Sequence, residues 1–334
     1  MKKILITGGF GFIGTTLVEF LARDKENKIH VIDNMSTSPI DIKDYLEVIE
    51  NPKSLSYEII SVDKFFRRRK IGRWDEIYHL ASPVGPVGVL KHGGDIIREV
   101  VRDGYWIIDY CLKNRAKLLY VSTSEIYGGG KNGYCPETAD RIVSSKTNIR
   151  MEYAIAKLAV ETAIINNCKT KGLKAAIVRP FNVVGKRQSV KGGFVLPRFI
   201  QQAYQNKDIT VFGNGKAIRS LTNVKDVTQG IILAMKEGKN GEVYNLGNSK
   251  NKINIIQLAE IVKRTLRSQS KIVLVDPKTL FGNFYEEAND KFPDSRKAKR
   301  ELGFCPRYDI KSTILEAQNE FSRQFKKGIL KDKV

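Results

Sequence analysis

Lys3-Ile4-Leu5-Ile6-Thr7-Gly8-Gly9-Phe10-Gly11-Phe12-Ile13-Gly14 opens the chain, and Ile29-His30-Val31-Ile32-Asp33 comes after it. The first five of these residues are β-rich and are stopped by glycines. From Gly11 to Arg23 apolar side chains recur at helical spacing, and the second run is again short and β-rich. This order predicts a strand, a helix and a parallel strand. Gly8, Gly11 and Gly14 sit where strand passes into helix. A tight turn there needs backbone angles that other residues avoid, and helix and strand must pack closely. The helix start also offers unpaired N–H groups and a positive dipole end, which suits phosphate.

In this context the turn predicts a dinucleotide site built from Gly8, Gly11, Phe12, Ile13 and Gly14, with Asp33 and Asn34 at the end of the second strand. A carboxylate accepts hydrogen bonds from ribose hydroxyls and repels a 2′-phosphate, and Asn34 rather than Arg or Lys comes next. NAD is therefore expected over NADP. Asp33 is also suited to cap a following helix.

Further short strands read at Tyr57–Ile60, Glu76–Leu80, Leu118–Ser122 and Ala175–Arg179, with helical patterns at Asp95–Leu112 and Ile149–Asn166 between them. The alternation predicts an α/β fold, a Rossmann doubly wound parallel sheet with helices on both faces. After Pro180 the texture becomes more irregular: helical patterns at Leu196–Gln205, Asn254–Arg267 and Ile310–Phe325, and short strands at Ile209–Phe212 and Ile272–Val275. We expect an NAD-binding domain over 1–180 and a smaller, mixed C-terminal substrate lobe over 181–334, with chain crossing between the two.

The 334 residues carry 57 Lys+Arg against 36 Asp+Glu, a formal charge of +21. This basic balance invites polyanions. Its densest run, Arg67-Arg68-Arg69-Lys70, lacks interleaved aromatics, so a solvated basic surface is expected, with no nucleic-acid and no membrane partner. Four scattered cysteines offer neither a disulfide framework nor a metal clip, and no metal is expected. No apolar run approaches a membrane span or a signal-peptide core, so the cytoplasm is the expected compartment. His30, His79 and His92 read as a strand, a packed and a loop residue.

Tyr153 and Lys157 stand four apart on a predicted helix and project from one face. A phenol is a poor base at neutral pH, but a neighbouring ammonium and a positive nicotinamide ring favour its phenolate. Tyr153 is then able to accept a hydroxyl proton. Alone the pair is a common helix-surface spacing. Its weight comes from Ser122-Thr123-Ser124-Glu125-Ile126-Tyr127-Gly128, which brings hydroxyls and a carboxylate to the C-terminal edge of the sheet, where such folds bind ligands.

The sequence resembles the extended short-chain dehydrogenase/reductases that modify nucleotide sugars. The likeness rests on Gly8 to Gly14, Asp33, His79-Leu80-Ala81, Ser122 to Gly128, Tyr153 with Lys157, Arg179-Pro180-Phe181-Asn182-Val183-Val184-Gly185 and Asn223-Val224-Lys225-Asp226-Val227. The resemblance implies that Thr123 bonds the reacting sugar hydroxyl, Tyr153 is the base, and Lys157 holds the nicotinamide ribose. It places Leu80 and Ala81 along the cofactor and Asp63 at adenine. It implies a nucleoside-diphosphate sugar, UDP- or GDP-linked, held by Arg150, Asn182, Leu196, Val211, Arg219, Lys291 and Asp294. Lys291 stands where the family more often has Arg. A homodimer is implied too, through a helical face that Ile155, Ala159 and Ala163 suit.

Such enzymes oxidise the sugar C4 hydroxyl, and neighbouring acid and base groups decide the net reaction. Ser124 stands where 4,6-dehydratases typically carry Asp. Ser124-Glu125 and Arg150 look more like the UDP-glucuronate decarboxylases, with a 4-epimerase close behind and a 4-dehydrogenase or 4,6-dehydratase as alternatives. A non-catalytic NAD- or RNA-binding protein is the reading from another class, and Tyr153, Lys157 and Thr123 argue against it. The glycine-rich run Ser82–Gly94 and the absence of a small hydroxyl residue before Lys157 point to an atypical sugar pocket.

Overall fold

A computed structural model describes residues 1–83, 85–128, 132–141, 149–276, 278–281 and 290–328. Seven strands form the central sheet: β1 (Lys2–Thr7), β2 (Asn27–Asp33), β3 (Leu55–Ile59), β4 (Glu76–His79), β5 (Lys117–Val121), β6 (Ala175–Pro180) and β7 (Val243–Leu246). Their order is β7-β6-β5-β4-β1-β2-β3, and every neighbouring pair is parallel.

Both faces of the sheet are buried, and the period-two alternation divides its side chains between two cores. Ile4, Ile6, Val31, Tyr78, Leu119 and Val178 face one core, while Leu5, Ile32, Ile77, Leu118, Tyr120 and Ile177 face the other. Helix α1 (Phe12–Ala22) lies over the first. Over the second lie α2 (Gly85–Lys91), α3 (Ile96–Asn114) and α4 (Ile149–Lys171).

After Pro180 the chain does not stay in a separate lobe. Helix α5 (Val195–Tyr204) belongs to the smaller body, but α6 (Val224–Glu237) packs on α1 and leads into β7, which adds an edge to the central sheet beside β6. Helix α7 (Ile255–Thr265) opens with a capping box between Asn254 and Gln257. Together with α8 (Arg296–Leu302) and α9 (Ile310–Lys326), it completes the named helices. The lobe core gathers Leu196, Phe199, Ile209, Val211, Leu258, Val262, Ile314 and Phe321.

Ion pairs join the lobes. Glu19 of α1 accepts from Lys186 at 2.6 Å and from Arg187 at 2.5 Å, and Arg187 also lies 3.5 Å from Glu320 of α9. The glycine-rich run contributes α2. Gly85 there has φ 78°, and a Cβ on it would come within 2.6 Å of the Phe194 ring. Among the described residues no helix is long and apolar enough to cross a membrane, and no cluster of His, Cys, Asp and Glu could hold a metal ion.

Candidate active site

The turn after β1 is a cradle only glycine permits. Gly8 has φ 72°, and a Cβ on it would lie 2.7 Å from the Ala81 nitrogen; one on Gly14 would lie 2.2 Å from the Gly8 carbonyl oxygen. Gly11 donates to that same carbonyl at 3.1 Å. No side chain caps the start of α1 and no acidic residue occupies its first turn, so the N–H groups of Phe12, Ile13 and Gly14 keep their positive end for an anion. These features fit a pyrophosphate.

Asp33 ends β2 and accepts from Phe10 N–H at 3.0 Å and Met35 N–H at 2.8 Å; burial raises its pKa, which these bonds oppose. No helix starts at Asp33, so it fastens a turn instead of capping one. Asn34 is exposed and accepts from Ser36 N–H at 3.0 Å. Leu80 donates to the Thr7 carbonyl at 3.0 Å, and Ala81 to the Thr7 hydroxyl at 3.3 Å, which seats both beside the glycine turn. His79 also bonds Thr7 Oγ1, at 2.7 Å, and burial drives its pKa down to about 3, so it is a neutral packed residue. Asp63 is engaged: Arg67 Nε at 2.9 Å, Trp106 Nε1 at 3.1 Å and Arg102 Nε at 3.3 Å all converge on Oδ1.

At the sheet edge α4 carries Tyr153, 9% exposed, and Lys157, 1% exposed. Lys157 Nζ donates to the Val121 carbonyl at 3.0 Å and sits 4.9 Å over the Tyr120 ring and 6.0 Å from the Tyr153 ring centroid. Burial brings its pKa down to about 7, against the pull of Glu161. Burial likewise pushes the Tyr153 phenol up, Glu125 adds to this, and hydrogen bonds with Thr123 and Ser82 act in the opposite sense. Within the chain, then, the hydroxyls favour the phenolate, while the Lys157 ammonium points at the end of β5. Ser82, absent from the expected set, hydrogen-bonds the Tyr153 phenol; only its place just after β4 could have marked it.

Thr123 caps the short turn Ser124–Tyr127 by accepting from Glu125 N–H at 3.2 Å, and Ser124 is buried. Glu125 reaches the Lys291 ammonium, Nζ to Oε1 2.5 Å. Ser122 Oγ is buried with no partner among the described residues.

One turn beyond Lys157, Glu161 grips Arg179 of β6 through two bonds, 3.0 and 2.6 Å, and Arg179 donates to Tyr127 Oη at 2.7 Å. Tyr127 donates on to Asn245 of β7 at 2.8 Å. This buried chain of bonds fixes the height of α4 on the sheet. The spacing Lys157 to Glu161 was a readable signal, i to i+4 on the Tyr153 face.

The expected substrate residues fall into three groups. Asn182, with φ 38°, reaches the Ser220 carbonyl at 3.4 Å; Arg219 donates to the Ile218 carbonyl at 2.7 Å, lies 3.7 Å from Asp290, and bridges Lys291 through the backbone. Leu196 and Val211 are buried in the lobe core. Asp294 is tied to Tyr134 Oη at 2.6 Å and to the Arg296 guanidinium at 2.8 Å, which hold its pKa down to about 2. The Arg150 side chain lies outside the described residues.

The NAD dependent epimerase/dehydratase family matches this chain over residues 4–247. The chain belongs to this family. It is 33% identical over 307 residues to UDP-N-acetyl-alpha-D-glucosaminuronate decarboxylase of Bacillus cytotoxicus, covering 91% of this chain and 93% of that protein. It is 28% identical over 330 residues to UDP-glucuronic acid decarboxylase 6 of Arabidopsis thaliana, covering 96% and 88%. Among solved structures, UDP-glucose 4-epimerase of Thermotoga maritima superposes with a TM-score of 0.82 at 23% identity, covering 97% of this chain and 99% of that one. The doubly wound fold and the NAD-dependent enzyme class expected from the sequence are those of this family.

Proposed function

We propose that the protein decarboxylates a UDP-linked hexuronate by way of a 4-keto sugar. The observation that carries this reading is Glu125 beside Tyr153 and Thr123, preceded by a buried Ser124 where a dehydratase acid would stand. Both relatives named above are UDP-uronate decarboxylases by name.

Gly8, Gly11, Phe12, Ile13, Gly14, Asp33 and Ala81 would hold NAD, with Lys157 at its nicotinamide end. When bound, NAD supplies the hydride acceptor for C4 and returns that hydride at the end. Tyr153 takes the C4 hydroxyl proton while Thr123 orients that hydroxyl. The resulting ketone lies β to the C5 carboxylate, so carbon dioxide leaves as the electron pair passes into an enolate. A proton taken up from water at C5 restores the ketone, and Tyr153 returns its own proton to the C4 oxygen on reduction. No net redox change remains.

Arg219 and Asn182 would face the diphosphate, Arg as a charge-assisted donor. Four cysteines without a disulfide support a reducing, cytoplasmic setting. A homodimer through α3 and α4 is part of the same reading: Ile97 and Tyr105 expose apolar surface on α3.

The test is product analysis by mass and NMR over UDP-glucuronate, UDP-N-acetylglucosaminuronate and the matching neutral hexoses. The expected result is loss of carbon dioxide from a uronate. Loss of water, loss of two hydrogens, or inversion at C4 without mass change would replace this reading with dehydration, oxidation or epimerisation.

A further inference from the structure

Lys291 is 3% exposed, yet it carries an ammonium into the site from a segment far along the chain. The two-residue strand Phe292–Pro293 next to it pairs in parallel with Tyr134–Cys135. The Asn245 amide donates to the carbonyls of Cys135 at 2.9 Å and Asp294 at 3.2 Å, so one side chain from β7 fastens both strands of this ribbon. Gly133, with φ 80°, lets the Phe292 ring lie where a Cβ would come within 2.5 Å of it. Lys291 thus leaves a backbone held on both sides, and its Nζ meets Glu125 Oε1 at 2.5 Å.

A buried ammonium demands a partner of opposite charge. The Glu125 side chain is 29% exposed and sits on a short turn, and the Lys291 ammonium restricts its rotamers. We propose that Lys291 is a positioning residue for the reaction, anchoring the Glu125 carboxylate beside Tyr153 and Thr123, and is not chiefly a diphosphate ligand. The inference rests on the reading of Tyr153 and Glu125 as the reaction centre.

The test is a double-mutant cycle on the C4 oxidation step, followed in single turnover with NAD-loaded protein and UDP-glucuronate. The proteins compared are wild type, Lys291→Met, Glu125→Gln, the double variant and Lys291→Arg, with sugar-nucleotide affinity measured separately by calorimetry. We expect Lys291→Met to slow oxidation about tenfold or more while affinity changes less than about threefold. In the Glu125→Gln background the same change should add no more than about twofold, and Lys291→Arg should restore most of the rate. An affinity loss of about tenfold with the rate unchanged, or effects that multiply in the double variant, overturns the proposal. Should Lys291→Met fail to fold, Lys291→Gln takes its place in the cycle. A wild type that oxidises a neutral UDP-hexose and releases no carbon dioxide removes the decarboxylase reading, and the cycle is then read on that sugar.

Discussion

Lys157 shows the conflict between stability and function at a single residue. Its ammonium is buried against β5, and burial lowers its pKa from the ordinary 10.5 to about 7. The sign comes from proton counting: between about pH 7 and pH 10.5 the unfolded chain binds the extra proton and the native chain does not, so this residue's contribution to stability rises with pH across that window. Below pH 7 the cost of burying the charge is constant and largest. Lys157→Met is therefore expected to raise Tm by several degrees at pH 6, with the gain shrinking as pH approaches 10, and to abolish turnover. Melting curves of both proteins over this range check it; a Met variant less stable at every pH contradicts it. At this scale local spacing put Tyr153 and Lys157 on one helix face in the sequence, while Thr123 stood out by its place at the end of β5 and by the family resemblance. The sequence concealed the Glu125–Lys291 pair, whose partners lie 166 residues apart and meet only through the ribbon at Cys135. Ser82 was hidden for the same reason, its contact with Tyr153 being made in space and not along the chain.

Among elements, the turn from β1 into α1 bears most directly on the cofactor. A methyl on Gly14 would press within 2.2 Å of the Gly8 carbonyl oxygen and 2.7 Å of the Gly9 Cα, so the turn must open to admit it. Gly14→Ala is expected to lose about 1–3 kcal/mol of stability and to purify without NAD. Denaturant unfolding and a cofactor assay on the released supernatant read both effects; a variant that retains NAD in full contradicts the assignment of this turn. β1 to β6 were legible because their apolar runs are bounded by glycine, proline or helical periodicity, with β3, expected at Tyr57–Ile60, running over Leu55–Ile59. β7 was not: Val243-Tyr244-Asn245-Leu246 pairs with β6, from which residues 181–242 separate it. The ribbon strands are two residues each and have no periodicity to read.

At the scale of the whole molecule, the two lobes are joined by β7 and by the ion pairs of Glu19, Lys186, Arg187 and Glu320. Lys291, from beyond Pro180, thereby reaches Glu125 at the sheet edge that carries Tyr153. A net charge of +21 suits a chain whose cofactor and substrate are both anionic, since a positive field raises encounter rates with them. The division at Pro180 expected from texture marks where irregularity begins, while the sheet itself is completed from beyond it. In the proposed reaction the Tyr153 phenol takes the proton of the sugar C4 hydroxyl. The direct measurement is the growth of reduced-nicotinamide absorbance when NAD-loaded wild type and Tyr153→Phe are each mixed with UDP-glucuronate, alongside the Kd of that ligand. The expected rate is about 10²–10⁴-fold lower in the Phe variant, with Kd within about threefold. A Phe variant that oxidises the sugar at nearly the wild-type rate, or one that loses the ligand altogether, would contradict it.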